Sequence, residues 1–303
     1  MKILITGGAG FIASNIAEQY LRLGHEVVIV DNLYHGFKKN LPQKAVFYQA
    51  DIRDMPKMKE IIQKEKPEVI NHHAAFINVV ESVSNPKETV DINVAGTINL
   101  LVAASENKVR KFIFSSTGGA IYSGVDKYPI AEEVAPRPES PYGLSKLLGE
   151  EAIKYYARVN HFEYLIFRYA NIYGPRQDTH GEAGVLAIFS ELLREHKSPI
   201  IFGDGTKTRD YVYVKDVVTA NVLGLTKGKN VTLNLGVGQE ITDQQVYDEL
   251  KKYFANLAQV KYEAVRPGEI LRSSLDAKKA QTVLGWQAQY SFSEGVKDYL
   301  KNG

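Results

Sequence analysis

The chain has 303 residues, of which 44% are hydrophobic and 24% charged, and its formal net charge is +2. This length suits one large domain or two closely joined ones, and so small a charge argues against a nucleic-acid partner. The absence of Cys excludes disulfides and Cys-based metal sites. No apolar run is long enough for a membrane helix, and the opening MKILITGGAG leaves no room for a leader peptide. We therefore expect a soluble, cytoplasmic protein.

The first half of the chain alternates apolar runs with helical patterns. Runs rich in β-branched and aromatic residues predict strands at 2–6, 26–30, 46–50, 68–72, 111–115 and 164–168. Between them, apolar residues at helical spacing predict helices at 11–23, 54–65, 87–107 and 141–159. This alternation predicts an α/β fold with a Rossmann-type, doubly wound parallel sheet of about seven strands.

Beyond residue 170 the pattern is less regular. Residues 173–184 form a long polar loop with Gly and Pro, a type of segment that is often functional. Further helices are predicted at 185–196, 216–226, 243–256, 276–284 and 293–301, with strands at 199–205 and 231–238. We expect this smaller mixed α/β region to pack on the carboxyl ends of the first strands, without a core of its own.

The turn after the first predicted strand is rich in glycine. Gly7, Gly10 and Ala13 match the pattern G-x-x-G-x-x-[GA], which lets the backbone approach a pyrophosphate at the start of the next helix. Asp31 ends the second strand, 21 residues after Gly10, where a carboxylate binds a ribose 2′-OH and repels a 2′-phosphate. Asp51 ends the third strand, where it can bind an adenine amino group. Loop capping is the alternative for either Asp, but together these features predict NAD rather than NADP.

The segment SPYGLSK places Tyr142 one helical turn before Lys146. An incidental pair on a solvated helix face is the alternative, because other Tyr–Lys pairs have the same spacing. Those pairs are Tyr34/Lys38, Tyr211/Lys215 and Tyr247/Lys251. Ser140 and Pro141 predict a helix start that puts Tyr142 in the electropositive first turn. The preceding strand runs on to Thr117, at the sheet edge where open α/β sheets bind ligands.

A phenol, an ammonium and a hydroxyl at one sheet edge suit proton transfer. A free phenol has a pKa of about 10, so its use as a base near neutral pH requires a shift of about 3 units, or about 4 kcal/mol. Lys146 and the helix N-terminus can supply this shift, while Thr117 orients a substrate hydroxyl. We therefore predict that Tyr142, Lys146 and Thr117 are catalytic.

Seven motifs follow one another along the chain: TGGAGFIA, VDNL, DIRD, HHAA, FSSTGGAIY, SPYGLSK and RYANIYGPRQD. In these motifs the chain resembles the extended short-chain dehydrogenase/reductase family, and within it the branch of UDP-glucose 4-epimerases. The resemblance implies NAD as cofactor, a UDP-sugar as substrate and a homodimer. We accordingly expect an NAD-binding domain of residues 1–168 and 209–239 and a nucleotide-sugar-binding domain of residues 169–208 and 240–303.

The same resemblance implies a set of contact residues. Cofactor contacts besides Tyr142 and Lys146 are expected at Gly7, Gly10, Phe11, Ile12, Asp31, Asn32, Asp51, Ile52, Ala74, Ala75, Asn93, Ser115 and Tyr169. Substrate contacts besides Thr117 are expected at Asn171, Val185, Phe202, Arg209, Arg266 and Ser273. Asn171 would bind the pyrophosphate, the two Arg the phosphate and ribose, and Val185 and Phe202 would flank the uracil. Ion pairing with Asp210 or Glu269 is the alternative for the arginines.

The resemblance also implies a reaction and a substrate range. Tyr142 would take the proton of the sugar 4-OH while C4 is oxidised, and the 4-keto sugar would be re-reduced from its other face. Gly118 and Gly119 stand where the related 4,6-dehydratases have an Asp-Glu pair, which makes dehydration improbable. Ser273 stands where a bulky Tyr excludes N-acetyl groups in the family, so UDP-N-acetylhexosamines are expected substrates too.

The sequence is also compatible with other functions, or argues against them. Within enzymes, the alternative is a 4-epimerase of UDP-glucuronate or of another nucleotide sugar. A catalytically idle NAD-binding regulator is the alternative outside enzymes, although the Tyr, the Lys and the Thr are all present. His72 and His73 are neighbours on a strand and face opposite ways, so we predict no metal site. The segment SSTGG has no His partner at a defined spacing, which argues against a Ser nucleophile.

Overall fold

The computed structural model of the protein describes residues 1–178, 184–254, 259–265 and 270–302. The strands are β1 (Lys2–Thr6), β2 (Glu26–Asp31), β3 (Val46–Gln49), β4 (Val69–His72), β5 (Lys111–Thr117), β6 (Glu163–Tyr169), β7 (Asn171–Tyr173), β8 (Ile200–Phe202), β9 (Thr208–Arg209), β10 (Tyr211–Tyr213), β11 (Val231–Leu235), β12 (Ile241–Thr242) and β13 (Lys261–Glu263). The α-helices are α1 (Phe11–Arg22), α2 (Met55–Glu65), α3 (Val79–Ser84), α4 (Pro86–Val90), α5 (Gly96–Glu106), α6 (Pro141–Asn160), α7 (Val185–Arg194), α8 (Val214–Gly224), α9 (Asp243–Leu250), α10 (Lys278–Leu284) and α11 (Phe292–Asn302).

Seven parallel strands form the main sheet, in the spatial order β3-β2-β1-β4-β5-β6-β11. This is the Rossmann order with a seventh strand added beside β6. The order reverses between β1 and β4, which pair from Ile3 with Val69 to Thr6 with His72. The predicted fold class is therefore confirmed.

The sheet is buried on both faces, and alternation along each strand feeds two apolar clusters. On β1, Ile3 and Ile5 pack on one face with α1 and α8, while Leu4 packs on the other with α2 and α5. All three side chains are fully buried. Burial on both faces explains why the strands read as continuous apolar runs rather than as alternating ones.

The helices match the predicted ones with local differences. The helix predicted at 87–107 is interrupted by a π-helical turn, Asp91–Ala95, between α4 and α5. The short helix α3 was not predicted; Asn78 caps it by accepting a hydrogen bond from the Glu81 amide at 2.7 Å. Within the described ranges, no helix is long and apolar enough to cross a membrane.

The expectation that the second region has no core of its own is wrong. Side chains of α7, β8, β10, α9 and α11 form a separate apolar cluster that includes Phe189, Tyr211, Tyr213 and Leu250. Aromatic residues make this possible in a short, broken-up region, because each buries a large area. Tyr211 and Tyr213 belong to this cluster, although the predicted division assigns them to the NAD-binding domain.

The start of α6 lies against the loop that follows β5. Ser140 caps the helix, since its hydroxyl accepts a hydrogen bond from the Gly143 amide at 3.0 Å, and Pro141 occupies the first turn as predicted. A Cβ on Gly143 would stand 2.1 Å from the Ala120 carbonyl oxygen. The helix can therefore approach this loop closely because position 143 has no side chain.

We predict that Gly143→Ala lowers the free energy of unfolding by about 1–3 kcal/mol, because the backbone must move to admit the methyl group. Denaturant titration of the purified protein measures the change. Gly119→Ala is the matched control, since its Cβ would meet nothing closer than the Asn171 Oδ1 atom at 3.8 Å. Equal stabilities of the two variants would contradict the prediction.

Candidate active site

The carboxyl ends of the central strands open into a cavity of about 470 Å³. It runs from the Gly-rich turn after β1 to the start of α6. Of the predicted site residues, the following line it: Gly7, Gly10, Phe11, Ile12, Asp31, Asn32, Asp51, Ile52, Ala74, Ala75, Ser115, Thr117, Tyr142, Lys146, Tyr169 and Asn171. Residues that are far apart in the sequence thus share one cavity.

The Gly-rich turn keeps backbone exposed where a ligand can approach. Gly7 has a positive φ of 70°, and a Cβ there would lie 2.7 Å from the Ala74 amide nitrogen. Gly10 is the N-cap of α1, no side chain caps that helix, and its first turn contains no acidic residue. The first amides of α1 are therefore available to an anion in the cavity.

Two carboxylates occupy the end of the cavity beyond this turn. Asp31 is buried, and its oxygens accept hydrogen bonds from the amides of Ala9 at 3.0 Å and Leu33 at 2.7 Å. Asp51 accepts hydrogen bonds from Arg53 and from the Asn32 amide group at 3.0 Å. The hydrogen bonds of Arg53 lower the pKa of Asp51 to about 2. Asp51 is therefore ionised throughout the neutral range.

The predicted catalytic residues lie at the other end of the cavity. The Lys146 ammonium donates to the Ser115 carbonyl at 2.9 Å and lies 4.9 Å from the centre of the Phe114 ring. Burial lowers the pKa of Lys146 to about 7, against an opposing effect of Glu150. The Tyr142 amide donates to the Ser82 hydroxyl at 3.2 Å, and the Thr117 hydroxyl accepts from the Ala120 amide at 3.2 Å.

Asn93 does not line the cavity, which corrects the expectation for this residue. It is buried in the π-helical turn, where its oxygen accepts from the Phe76 amide at 2.7 Å. Its nitrogen donates to the Phe76 carbonyl and to the Ser145 hydroxyl, each at 2.9 Å. Phe76 itself lines the cavity. Asn93 thus supports the wall from behind, because the helix carrying it passes one layer outside the strand ends.

The expected substrate residues are spread more widely. Asn171 lines the cavity, and its amide donates to the Asp210 carbonyl at 2.9 Å. Val185, Phe202, Arg209 and Ser273 lie outside the cavity lining, and Arg266 lies outside the described residues. Ser273 is buried two residues before Leu275, whose side chain covers Gly118.

The ion pair between Arg209 and Asp210, which was the alternative to a substrate contact, is not found among the described residues. Asp210 is fully buried, and its carboxylate accepts from the amides of Val237, Gly238 and Leu275 at 2.9 to 3.1 Å. The guanidinium of Arg209 donates instead to the Thr208 carbonyl at 2.8 Å. The alternative that Asp210 binds this arginine is therefore removed.

Several lining residues were missed from the sequence. His73 lies parallel to the Tyr169 ring with centroids 6.1 Å apart, and burial lowers its pKa to about 3, with a further contribution from Lys146. His72 points the other way and contacts the hydroxyls of Thr6 at 2.6 Å and Thr97 at 2.8 Å. The rule that strand neighbours face opposite ways could have placed His73 in the cavity.

Gln177 and Arg53 were also missed. Both line the cavity, and the Gln177 Oε1 atom is buried without a hydrogen-bond partner among the described residues. A buried amide oxygen in this state is suited to a donor on a ligand. The sequence offered no signal for Gln177 beyond its place in a polar loop, because spacing does not show which loop residue turns inward.

Comparison with known proteins identifies the family. Residues 3–236 match the model of the NAD dependent epimerase/dehydratase family. The chain belongs to this family. A Methanocaldococcus jannaschii protein, provisionally named a UDP-glucose 4-epimerase, is 45% identical over 303 residues, covering 99% of this chain and 98% of the relative. The resemblance stated from the motifs is thereby confirmed.

Solved structures agree with this membership. A UDP-glucose 4-epimerase of Thermotoga maritima, solved with UDP-glucose, has a TM-score of 0.98 at 42% identity, covering 100% of this chain and 98% of the other. A UDP-glucose 4-epimerase of Thermus thermophilus, solved with NAD, has a TM-score of 0.93 at 36% identity, with the same coverage. The agreement extends over the whole length of each chain.

The cavity fits the cofactor of the family. Glycines at positions 7 and 10 leave room for a pyrophosphate over the amides of α1, and Asp31 offers acceptor oxygens at the end of β2. Gly36 keeps that carboxylate accessible, since a Cβ there would stand 2.8 Å from the Asp31 Oδ1 atom. Cofactor chemistry and cavity therefore agree on NAD, while the role of each residue remains a proposal.

We predict that Asp31→Asn raises the Kd for NAD about tenfold, because a hydrogen bond to a charged acceptor becomes one to a neutral acceptor. The Kd for NADP should rise less or fall, because the carboxylate no longer repels the 2′-phosphate. Isothermal titration calorimetry measures both. Glu26→Gln, at the exposed start of β2, is the control and should change neither constant. If the ratio of the Kd for NAD to the Kd for NADP is the same in Asp31→Asn as in the wild type, Asp31 does not bind the ribose 2′-OH.

Proposed function

We propose that the protein is an NAD-dependent UDP-glucose 4-epimerase. One observation carries the proposal: the Gly-rich dinucleotide turn and the Tyr142, Lys146 and Thr117 side chains line the same cavity. The relatives and solved structures with this name cover the whole chain, which supports the choice within the family. NAD supplies reversible oxidation of the sugar at C4.

The catalytic residues have distinct roles in this proposal. Tyr142 takes the proton of the sugar 4-OH and later returns it, from the first turn of α6 where the helix dipole favours a phenolate. The Lys146 ammonium adds positive charge near that phenolate, and the Ser115 carbonyl holds it in place. Thr117, at the end of β5, orients the sugar hydroxyl. Proton transfer thus needs no other acid or base from the chain.

The substrate side supplies binding rather than chemistry. Asn171 faces the cavity beside the proposed catalytic residues and would bind the pyrophosphate. Arg209, together with Arg266 outside the described residues, would bind phosphate and ribose, and Val185 and Phe202 would flank the uracil. Gly119 presents no side chain to the cavity beside Asn171. This small residue, with Ser273 in place of a bulky gate, supports acceptance of UDP-N-acetylhexosamines as well as UDP-hexoses.

We predict that the purified protein converts UDP-galactose, and also UDP-N-acetylgalactosamine, to their 4-epimers without added NAD. Proton NMR of the sugar resonances follows each reaction. Tyr142→Phe should lower kcat by about 10²–10⁴, because it removes the acid–base group. The NAD content of that variant should equal that of the wild type.

The control is Tyr247→Phe, since Tyr247 also precedes a Lys by four residues but lies in α9, outside the cavity lining. It should leave turnover unchanged. Turnover of UDP-galactose alone would refute the open sugar gate at Ser273. Conversion of UDP-glucuronate alone would favour the alternative nucleotide-sugar epimerase, and no conversion of any of these sugars, even with NAD supplied, would refute the proposal.

We also propose that the enzyme is a homodimer. Leu144, Leu148, Tyr155 and Val159 form an apolar stripe along one face of α6, and each is between 41% and 52% exposed. Apolar side chains aligned in this way on the outside of a helix commonly mark a contact with another chain. A second copy of this chain can cover the stripe on both molecules by twofold symmetry.

We predict that light scattering after size exclusion gives twice the 33.8 kDa mass of one chain. Leu148→Glu combined with Val159→Glu should give the single-chain mass, because two charges would be buried in the contact. Val283→Glu, on the exposed side of α10, is the control and should leave the mass doubled. A doubled mass for the double variant would place the contact elsewhere.

The domain division and the location in the cell stay predictions. The division assigns residues 1–168 and 209–239 to NAD and the remainder to the nucleotide sugar. Tyr211 and Tyr213 pack with α7 and α9. This packing favours moving the boundary between residues 208 and 209 to Val214, where α8 begins. The cytoplasm is the proposed location.

A further inference from the structure

A buried ion pair lies directly behind Lys146. Glu150, one helical turn after Lys146 on α6, is fully buried, and Arg168 on β6 is 4% exposed. The guanidinium donates twice to the carboxylate, from Nε to Oε1 at 2.9 Å and from Nη2 to Oε2 at 2.6 Å. Such a bidentate contact fixes both side chains in one orientation.

The Glu150 carboxylate also contacts β5, the strand to which the Lys146 ammonium is hydrogen-bonded. The Ser116 hydroxyl donates to Glu150 Oε1 at 2.6 Å, while the Lys146 ammonium donates to the carbonyl of Ser115, the preceding residue, at 2.9 Å. Two successive residues of β5 are therefore tied to two successive turns of α6. Thr117 comes next on β5, so these two contacts set the spacing between the ends of the strand and the helix.

Arg168 also contacts Tyr122. Its Nη1 atom donates to the Tyr122 hydroxyl at 2.5 Å, and its guanidinium lies 5.2 Å from the centre of the Tyr122 ring. Burial acts to lower the pKa of Arg168, but the hydrogen bonds and charge of Glu150 outweigh it, so the pKa is raised. The arginine is thus a permanent cation on the far side of the carboxylate.

Glu150 is the group around Lys146 that favours the charged form of the lysine. Glu150 acts on its charge from α6, one turn after it, and Tyr142 lies one turn before it on the same helix. His72 at the end of β4 and His73 just beyond it interact with its charge, and the Ser115 carbonyl and the Phe114 ring contact it from β5. Burial is the main cause that lowers the pKa values of both histidines, and the charge of Lys146 adds to it, so they are neutral near pH 7. Glu150 is the one carboxylate in this set.

We propose that Glu150 and Arg168 are positioning residues for Lys146: they hold it at the end of β5 and supply the negative charge that its ammonium faces. This inference rests on the proposed epimerase function for its kinetic consequence. A stabilising role alone explains the pair poorly, because a buried ion pair is often no more stabilising than well-packed uncharged residues of similar volume.

The test uses Glu150→Gln combined with Arg168→Gln in the full chain. Removing one partner alone would leave an unpaired buried charge, which can prevent folding. The titration of Lys146 is followed by NMR of isotope-labelled lysine, assigned with Lys146→Arg. We expect Lys146 to lose its proton at a lower pH in the double variant, because the anion that stabilises the ammonium is gone.

The kinetic consequence has a defined direction. A neutral Lys146 no longer stabilises the Tyr142 phenolate, so the rising limb of the kcat–pH profile should move to higher pH. A shift of one pH unit lowers kcat about tenfold at a given pH on that limb. KM should change little, because neither residue lines the cavity. A purely structural role would lower stability without moving the profile.

The matched control is Glu60→Gln, the same substitution on α2, where the exposed side chain pairs with Lys57. It should leave the Lys146 titration and the kcat profile unchanged. Glu150→Asp keeps the negative charge but moves it away by the length of one methylene. The pKa of Lys146 in this variant should therefore lie between its values in the wild type and in the double variant. It also decides the question if the double variant does not fold.

An unchanged Lys146 titration in the folded double variant, or in Glu150→Asp if the double variant does not fold, would overturn the inference. The NMR titration needs no turnover, so it separates this inference from the proposed function. A shifted titration in a protein that converts no UDP-sugar would support the positioning role and refute the epimerase. Normal turnover of a UDP-sugar with an unshifted Lys146 titration in the variant would support the epimerase and refute the positioning role.

Discussion

The pairing of β1 with β4 is the constraint on which the site depends. These strands lie side by side in the sheet, yet their connections leave toward opposite faces, so a crevice opens where both end. Gly7 follows β1 and Ala74 lies just beyond β4, and their backbones come so close that a Cβ on Gly7 would stand 2.7 Å from the Ala74 amide nitrogen. Any side chain at Gly7 would force the two turns apart and close the approach to the amides of α1.

Burial determines how charge is distributed around this crevice. At its inner end, His72 and Lys146 are buried and His73 is half-buried. Desolvation lowers the pKa of each, to about 7 for Lys146 and about 3 for His73. The histidines therefore stay neutral while the lysine keeps part of its charge near pH 7. At the outer end, the pKa of Asp51 is also lowered, but the cause is the hydrogen bonds that Arg53 donates in a more exposed setting, so the charged form is favoured. One cavity thus combines a weakly charged end, which holds the proposed catalytic residues, with an ionised end that suits an adenosine.

The region proposed to bind the substrate is held together by a buried carboxylate. Asp210 accepts from the amides of Val237, Gly238 and Leu275, and its own carbonyl accepts from the Asn171 amide. Burial raises the pKa of Asp210 to about 6 despite these three donors. The backbone segments that follow β6 and β11 and the segment that precedes α10 are thereby fixed to one point. The Leu275 side chain is then placed over Gly118, which explains why that position at the end of β5 has no side chain.

The sequence alone determined the fold class, the Gly-rich turn with Asp31 and Asp51, and the Tyr142–Lys146 pair, because each depends on local spacing along a strand, turn or helix. The tertiary structure decided what depends on contacts between distant segments. It placed Asn93 behind the wall instead of in it, brought Gln177 and His73 to the cavity, and gave the second region an aromatic core. It also set Glu150 and Arg168 behind Lys146. Helical spacing puts Glu150 one turn from Lys146, but only the pairing of β5 with β6 brings Arg168 within reach of Glu150.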